Sequence, residues 1–369
     1  MANYNWQQKD WPLFHFSLES VEDELLAFAE KLGRVSGIVE SLPEETRQET
    51  IVDMILAEAI KTSEIEGEYP SRKDVLSSIR RNLGLHHSPD LIKDKSAAGL
   101  GKLMIDVRSS FKESLTEQKL IDWHKMLMGA NKSITVGAWR SHEEPMQVVS
   151  GAVGKEKIHF EAPPSSQVPK EMKAFIKWFN DTSPGGKLEI KKAPVRSAIA
   201  HLYFETIHPF EDGNGRIGRA IAEKALSQTI GRPVVLSLSR AIESKKSDYY
   251  ASLEKAQRSN EITSWVEYFV KTLLAAQTEA EAQIEFTLKK TKFFDHFKNQ
   301  LNERQLLAIK RMLEEGIKSF EGGMNARKYM SITKTSKATA TRDMQQLVEI
   351  GAFIPTGKGG RSTSYQVNI

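Results

Sequence analysis

The chain has 369 residues, 40% of them apolar and 27% charged, which describes a folded globular protein of two or three domains and excludes disordered and fibrous classes. It has no cysteine, so disulfides and thiolate metal sites are excluded and a reducing cytoplasm is the expected home. The net charge of +4 is unevenly placed: Leu301–Ile369 holds 11 basic against 6 acidic side chains, a net of +5, and the remainder sums to −1, so attraction to nucleic acid is confined to the C-terminal segment.

The N-terminus lacks the apolar run of a signal peptide, and no stretch approaches the 18 apolar residues of a membrane span; no membrane partner is expected. Apolar residues at three- and four-residue spacing predict helices over Ser17–Leu32, Glu44–Ile65, Ser71–Arg81 and Val168–Phe179. Ser41, Pro43 and Glu44 make a helix start, and Gly67 and Pro70 a stop. Between the helices, Val136–Pro164 is punctuated by Gly137, Pro145, Gly151, Gly154 and Pro163-Pro164. Its short apolar runs, Met146–Val149 and Ile158–Phe160, read as an inserted β-hairpin, or flap. Thr182–Gly186 is a loop.

A helix follows over about Pro194–Ile207, with proline in its first turn and Val195, Ala198, Ile199 and Leu202 as its buried stripe. It runs into His208-Pro209-Phe210-Glu211-Asp212-Gly213-Asn214-Gly215-Arg216-Ile217-Gly218-Arg219, after which a second helix continues from about Arg216 with Ile217, Ile221 and Ala225 on one face. A charged helix over about Thr278–Asn302 links to a last segment. That segment reads helix (Glu303–Leu313), helix (Asn325–Ser331), helix (Ala338–Ile350), then strands Phe353–Pro355 and Ser364–Val367 around a basic, glycine-rich turn containing Lys358 and Arg361. This order resembles a winged helix-turn-helix. Ser336–Arg342 would open its third helix with the small polar and basic residues that suit contact with DNA, although such domains also bind proteins. The domains expected are 1–90, 91–280 and 281–369.

The twelve residues from His208 to Arg219 bring a base, an acid, three glycines and two arginines to a helix N-terminus. Unpaired N–H groups there form an anion hole, and glycine lets a phosphate approach the backbone. Rival readings fail on context. Gly213-x-Gly215-x-x-Gly218 matches a dinucleotide fingerprint, but a helix and not a strand precedes it. His201, Glu205, His208 and Asp212 share helical spacing for a metal, but Pro209 breaks that face. Asn214-Gly215 suits a hairpin turn, but no alternating strands flank it. A plain polar loop needs neither this density of reactive types nor two arginines three residues apart. No Walker A motif is present.

The segment resembles the Fic family pattern His-Pro-Phe-x-(Asp/Glu)-Gly-Asn-Gly-Arg-x-x-Arg at every fixed position, and the resemblance extends over about Leu91–Ala275. It implies a mainly α fold: a Fic-type helical core with a β-hairpin flap, a helical N-terminal region and the C-terminal winged helix-turn-helix. It implies transfer of AMP from ATP to a Ser, Thr or Tyr hydroxyl of a target protein or of the chain itself, releasing pyrophosphate. His208 would be the general base and Asp212 the Mg²⁺ ligand. Gly213, Asn214 and Gly215 would line the phosphate hole with Ile217 and Gly218 beside it, Arg216 and Arg219 would grip the polyphosphate, and Tyr249 and Tyr250 would lie beside the adenine. Pro209 and Phe210 would shape and anchor the loop, and Val148–Gly151 would pair with an extended target segment. Thr62-Ser63-Glu64-Ile65-Glu66-Gly67 resembles the family's inhibitory motif, in which Glu66 would pair with Arg219 in competition with the ATP γ-phosphate. Alternatives stay open: removal of AMP from targets, another phosphate-linked donor, or nucleotide sensing coupled to a DNA- or partner-binding tail. A homodimer is compatible with the resemblance.

Overall fold

The structure is a computed structural model describing residues 3–85, 92–150, 157–314, 316, 320–356 and 363–369. The chain divides into two compact units, Met1–Arg34 with Ile51–Glu279 and Val35–Thr50 with Ala280–Ile369. It is mainly helical, as the sequence predicts, and among the described residues no helix is long and apolar enough to cross a membrane.

In chain order the first helices are α1 (Glu22–Ser41), α2 (Glu44–Ile65), α3 (Arg72–Asn82), α4 (Lys95–Ser109) and α5 (Glu117–Met128). Local chemistry sets their starts: Ser71, Asp94 and Thr116 each accept a first-turn N–H and so fill an open end of α3, α4 and α5. A two-stranded antiparallel hairpin follows, β1 (Gln147–Ser150) against β2 (Lys157–Glu161), with an irregularity between Val148 and Val149. It stands where the flap is expected; Gly151 and Gly154 lie outside the described residues. The chain continues through α6 (Val168–Asp181), α7 (Ala193–Ile207), α8 (Asn214–Ile230), α9 (Leu238–Ser244), α10 (Lys246–Ala256) and α11 (Thr263–Phe297).

The core of the first unit gathers on α7 and α8. Tyr203, Phe204 and Ile207 of α7 and Ile217 and Ile221 of α8 are buried with Trp123 of α5, Phe175 of α6 and Leu56 of α2. The one-sided stripe expected for α7 is too narrow. Every residue of α7 is buried, because neighbouring elements cover it on all sides. Its polar groups are therefore paired inside: Ser197 donates to the Ala222 carbonyl, the Trp265 indole to the Ala198 carbonyl, and Arg196 to carbonyls of α6 and α8. The charged stretch expected from about Thr278 is the second half of α11. The helix already begins at Thr263, because Trp265, Phe269 and Leu273 continue one buried stripe into Ala280 and Ile284.

The last unit contains α12 (Glu303–Leu313), α13 (Ala326–Thr333), α14 (Lys337–Glu349), β3 (Phe353–Thr356) and β4 (Ser364–Val367), with the strands antiparallel and Phe353 opposite Val367. Asn302, Asn325 and Ser336 cap the three helices. Ile309, Tyr329, Leu347 and Phe353 form the core beside Phe293 and Phe297. The buried Asp343 carboxylate accepts from Arg304 and from the Tyr329 hydroxyl, which joins the three helices. The turn residues Lys358 and Arg361 lie outside the described residues.

Candidate active site

Helix α7 ends one residue before His208, which takes a left-handed conformation (φ +50°) while its N–H still bonds the Phe204 carbonyl. Pro209 disfavours a right-handed helical conformation for the residue before it, so the helix stops here. The chain then turns through Gly213 (φ +81°), a conformation that suits glycine, and α8 begins at Asn214, two residues before the start read from the sequence.

Three buried side chains hold this loop. Arg140 donates to the carbonyls of His208 (2.7 Å), Ile207 (3.2 Å) and Pro163 (2.5 Å) and to Ser165. Asn214 turns its amide back on the loop, accepting from the Phe210 N–H at 2.9 Å and donating to the Phe210 carbonyl at 2.8 Å. His124 stacks on Phe210 with ring centroids 4.0 Å apart, accepts the Gly137 N–H at Nδ1 and bonds the Asp212 carbonyl through Nε2. A lone pair at Nδ1 places the proton on Nε2, so His124 is neutral there; burial in this position lowers its pKa.

The loop opens on a cleft of about 710 Å³ lined by His208, Asp212, Gly213–Gly215, Glu66 and Tyr249–Tyr250 and by residues of the β1–β2 hairpin. Burial, reinforced by Arg140, pushes the His208 imidazole down to about 4, so at neutral pH it is uncharged and able to accept a proton. Its Nδ1 lies 3.4 Å from the Glu205 carbonyl, which favours a proton on Nδ1 and a lone pair on Nε2. The first internal bond of α8 runs from the Ile217 N–H to the Gly213 carbonyl, so the N–H groups of Asn214, Gly215 and Arg216 precede it at an electropositive helix end.

Arg219 is buried and donates to both ends of the Thr62–Glu66 turn. Nε bonds Thr62 Oγ1 at 2.7 Å, and Nη2 bonds the Thr62 carbonyl and Glu66 Oε1, each at 2.8 Å. Burial opposes ionisation of Glu66, but Arg219 outweighs it and the carboxyl is held below its usual range. Burial likewise opposes the Arg219 charge, and Glu66 reverses the balance, raising its pKa. Arg216 pairs with Glu68 and also borders a separate cavity of about 280 Å³. Behind the loop, burial raises the Glu205 carboxyl to about 8, so it is largely protonated at neutral pH.

The structure sorts the expected residues into two groups. His208, Asp212, Gly213, Asn214, Gly215, Glu66, Tyr249 and Tyr250 share the cleft, Asn214 through its backbone because its amide is used by the loop. Ile217 points into the core, and Gly218 packs against the Glu205 carboxyl and His201; a Cβ there would come 2.2 Å from Glu205 Oε1. Tyr249 is 1% exposed with its hydroxyl 2.8 Å from His201, whereas Tyr250 is 38% exposed. Arg140, His124 and Glu68 are absent from the sequence reading, since each lies at least about 68 residues from its partner in the motif and no local pattern marks it.

A mainly helical protein whose cleft holds a neutral histidine beside a helix N-terminus is the class that fold and cleft define. Residues 114–226 match the Fic/DOC family, and residues 4–85 match a domain of unknown function, DUF4172. The chain therefore carries a Fic/DOC domain. A protein adenylyltransferase Fic from Nematostella vectensis is 26% identical over 173 residues, covering 46% of this chain and 36% of that protein. A probable protein adenylyltransferase from Aquifex aeolicus is 30% identical over 115 residues, covering 31% of each chain. This chain thus spans about a third of the length of the curated relatives it matches. A solved Fic family protein from Desulfovibrio desulfuricans shares the fold over 97% of this chain and 98% of its own, with a TM-score of 0.55 at 20% identity.

Proposed function

We propose that the protein is an autoinhibited adenylyltransferase that moves AMP from ATP to a Ser, Thr or Tyr hydroxyl of a target protein. The observation that carries this reading is the neutral His208 lining one cleft with Gly213–Gly215, where α8 begins with N–H groups that precede its first internal bond. Those N–H groups would hold the α- and β-phosphates, and Tyr250 with Tyr249 behind it would border the adenine. His208 Nε2 would take the proton of the target hydroxyl as its oxygen bonds the α-phosphorus; pyrophosphate leaves. Asp212 suits Mg²⁺: its carboxylate is 48% exposed at the cleft, and this cation commonly takes one or two carboxylates together with phosphate oxygens and water. Among the described residues no cluster of three or more His, Asp or Glu surrounds it, so the phosphates would supply the remaining ligands. Mg²⁺ bound there would neutralise charge on the phosphates.

Glu66 is the brake in this reading. It occupies Arg219, the guanidinium that would otherwise receive the γ-phosphate. A charge-assisted pair of this kind contributes about 1.5–3 kcal/mol, which corresponds to about 10- to 150-fold in rate if it must break first. Wild type, Glu66→Gly and Glu66→Gly/His208→Ala are incubated with Mg²⁺ and α-labelled ATP in a cell lysate. Labelled protein should increase in Glu66→Gly by that factor and disappear from acceptors in the lysate in the double variant. Equal labelling in wild type and Glu66→Gly overturns the brake, and no labelling in any variant overturns the transfer.

The exposed face of α14, with Lys337, Thr341, Arg342 and Gln345, supports a second role for the last unit in contacting duplex DNA. Full-length protein should bind a random duplex with an affinity that falls steeply as salt rises, and Lys337→Ala/Arg342→Ala should weaken it; no binding at low salt rules the role out.

A further inference from the structure

The hairpin and α10 bring a second set of reactive groups to the cleft that holds the Gly213–Gly215 turn. Ser150, the last residue of β1, has Oγ 2.6 Å from His159 Nε2 on β2. His159 Nδ1 lies 2.8 Å from Glu254 Oε2 on α10. All three line the cleft that holds His208 and Gly213–Gly215. The chain of contacts has a direction: a carboxylate against Nδ1 selects the Nδ1–H tautomer and leaves a lone pair at Nε2 to accept the Ser150 hydroxyl proton. The bond to His159 holds the Glu254 carboxyl below its usual range. The imidazole is also fixed through its backbone, since the His159 carbonyl accepts from Arg258 Nη2 at 2.8 Å. A hydroxyl whose base is oriented by a third group is the arrangement of an activated nucleophile. The hairpin does not need it to form, because backbone pairing already sets its register, with Ser150 opposite Lys157.

We propose that Ser150 is an acceptor for AMP within its own molecule, with His159 as its base. This rests on the adenylyl-transfer reading and adds a modification site and a second proton acceptor to it. Ser150 Oγ forms a bond to the α-phosphorus of ATP, and the bond from that phosphorus to the α–β bridging oxygen breaks. Pyrophosphate leaves with the electron pair. The hydroxyl proton passes to His159 Nε2, the imidazolium is held by Glu254, and water later takes the proton. Modification in cis and transfer to a target then depend on different histidines.

The test uses the full chain in the Glu66→Gly background with Mg²⁺ and α-labelled ATP, in the presence of a cell lysate, with the modified residues mapped by mass spectrometry. AMP is expected on Ser150, at a rate constant independent of protein concentration. Ser150→Ala should remove that adduct, and Ser150→Thr, which keeps a hydroxyl, should retain it. His159→Gln should slow labelling of Ser150 at least about tenfold more than it slows labelling of lysate proteins, and His208→Ala should do the reverse. Lysate labelling without an adduct on Ser150 overturns this inference alone. Loss of the Ser150 adduct in His208→Ala but not in His159→Gln overturns the role of His159. Absence of all labelling overturns the adenylyl-transfer reading and this inference with it.

Discussion

The loop after α7 and the β1–β2 hairpin line one cleft but are held in opposite ways. The loop is fixed from inside: Arg140 is 2% exposed and Asn214 2% exposed, and between them they fill the carbonyls and N–H groups the turn leaves open. The hairpin is fixed from its edge. The Trp6 indole donates to the Glu161 carbonyl at 2.8 Å, Arg258 donates to the His159 carbonyl, and Tyr4 packs edge-on against Phe160. Buried bonds are costly to break because the orphaned partner cannot reach water, whereas exposed ones exchange with solvent at little cost. One wall of the cleft is thus preorganised and the other can adapt.

Removing the internal support should have the largest effect. Arg140→Ala leaves the carbonyls of His208, Ile207 and Pro163 without their donor. A loss of about 3–5 kcal/mol is expected, measured as a shift in the denaturant midpoint, together with loss of nucleotide binding. A shift below about 1 kcal/mol would mean that water replaces the guanidinium and that the loop is no more rigid than the hairpin.

Acid should come next. Burial pushes His201 and His208 each down to about 4. An unfolded histidine titrates near 6.5, so between pH 6.5 and 4 the unfolded chain binds protons that the folded chain excludes. The stability these groups contribute is complete above about 6.5 and is lost as pH falls towards 4, on the order of 3 kcal/mol per histidine. Denaturation at pH 7 and at pH 5 should differ accordingly. His201→Gln should reduce the difference, and an unchanged difference would assign the acid sensitivity elsewhere. For the same reason, transfer by Glu66→Gly should be nearly level between pH 6 and 8, with no rise centred on 6.5.

Gly218→Ala probes how closely α8 approaches α7. Its Cβ would meet Glu205 Oε1 at 2.2 Å and His201 Cε1 at 3.2 Å, both buried, and a cost of about 1–3 kcal/mol is expected by calorimetry. The smallest effect belongs to the hairpin edge. Trp6→Phe removes one bond to the Glu161 carbonyl and should cost about 0.5–1 kcal/mol. Its main consequence should appear in KM for a target protein, with kcat preserved; a fall in kcat with KM unchanged would show that the hairpin is part of the rigid wall.

Much of this architecture is legible in the chain itself. Helix α2 and helix α12 run over the residues their periodicity predicts, and β4 does likewise, because each carries its own capping and turn signals. The cleft-facing residues His208, Asp212 and Gly213–Gly215 are legible for a similar reason: they lie within one short stretch of the chain. Their surroundings are not. Arg140 and His124 act on the loop through tertiary contacts, and no sequence period links Ser150 and His159 to Glu254, about 95 residues further along the chain.

The sequence by itself determined the helical class, the two-helix motif and the small-residue turn that leads into a helix N-terminus, since these follow from local backbone preferences and hydrogen-bonding patterns. The tertiary structure alone decided that α7 is buried on every side, that Asn214 spends its amide on the loop, that Arg219 is paired with Glu66, and that His208 is neutral. Burial and electrostatic pairing depend on which surfaces meet, and that is settled only when the distant segments pack.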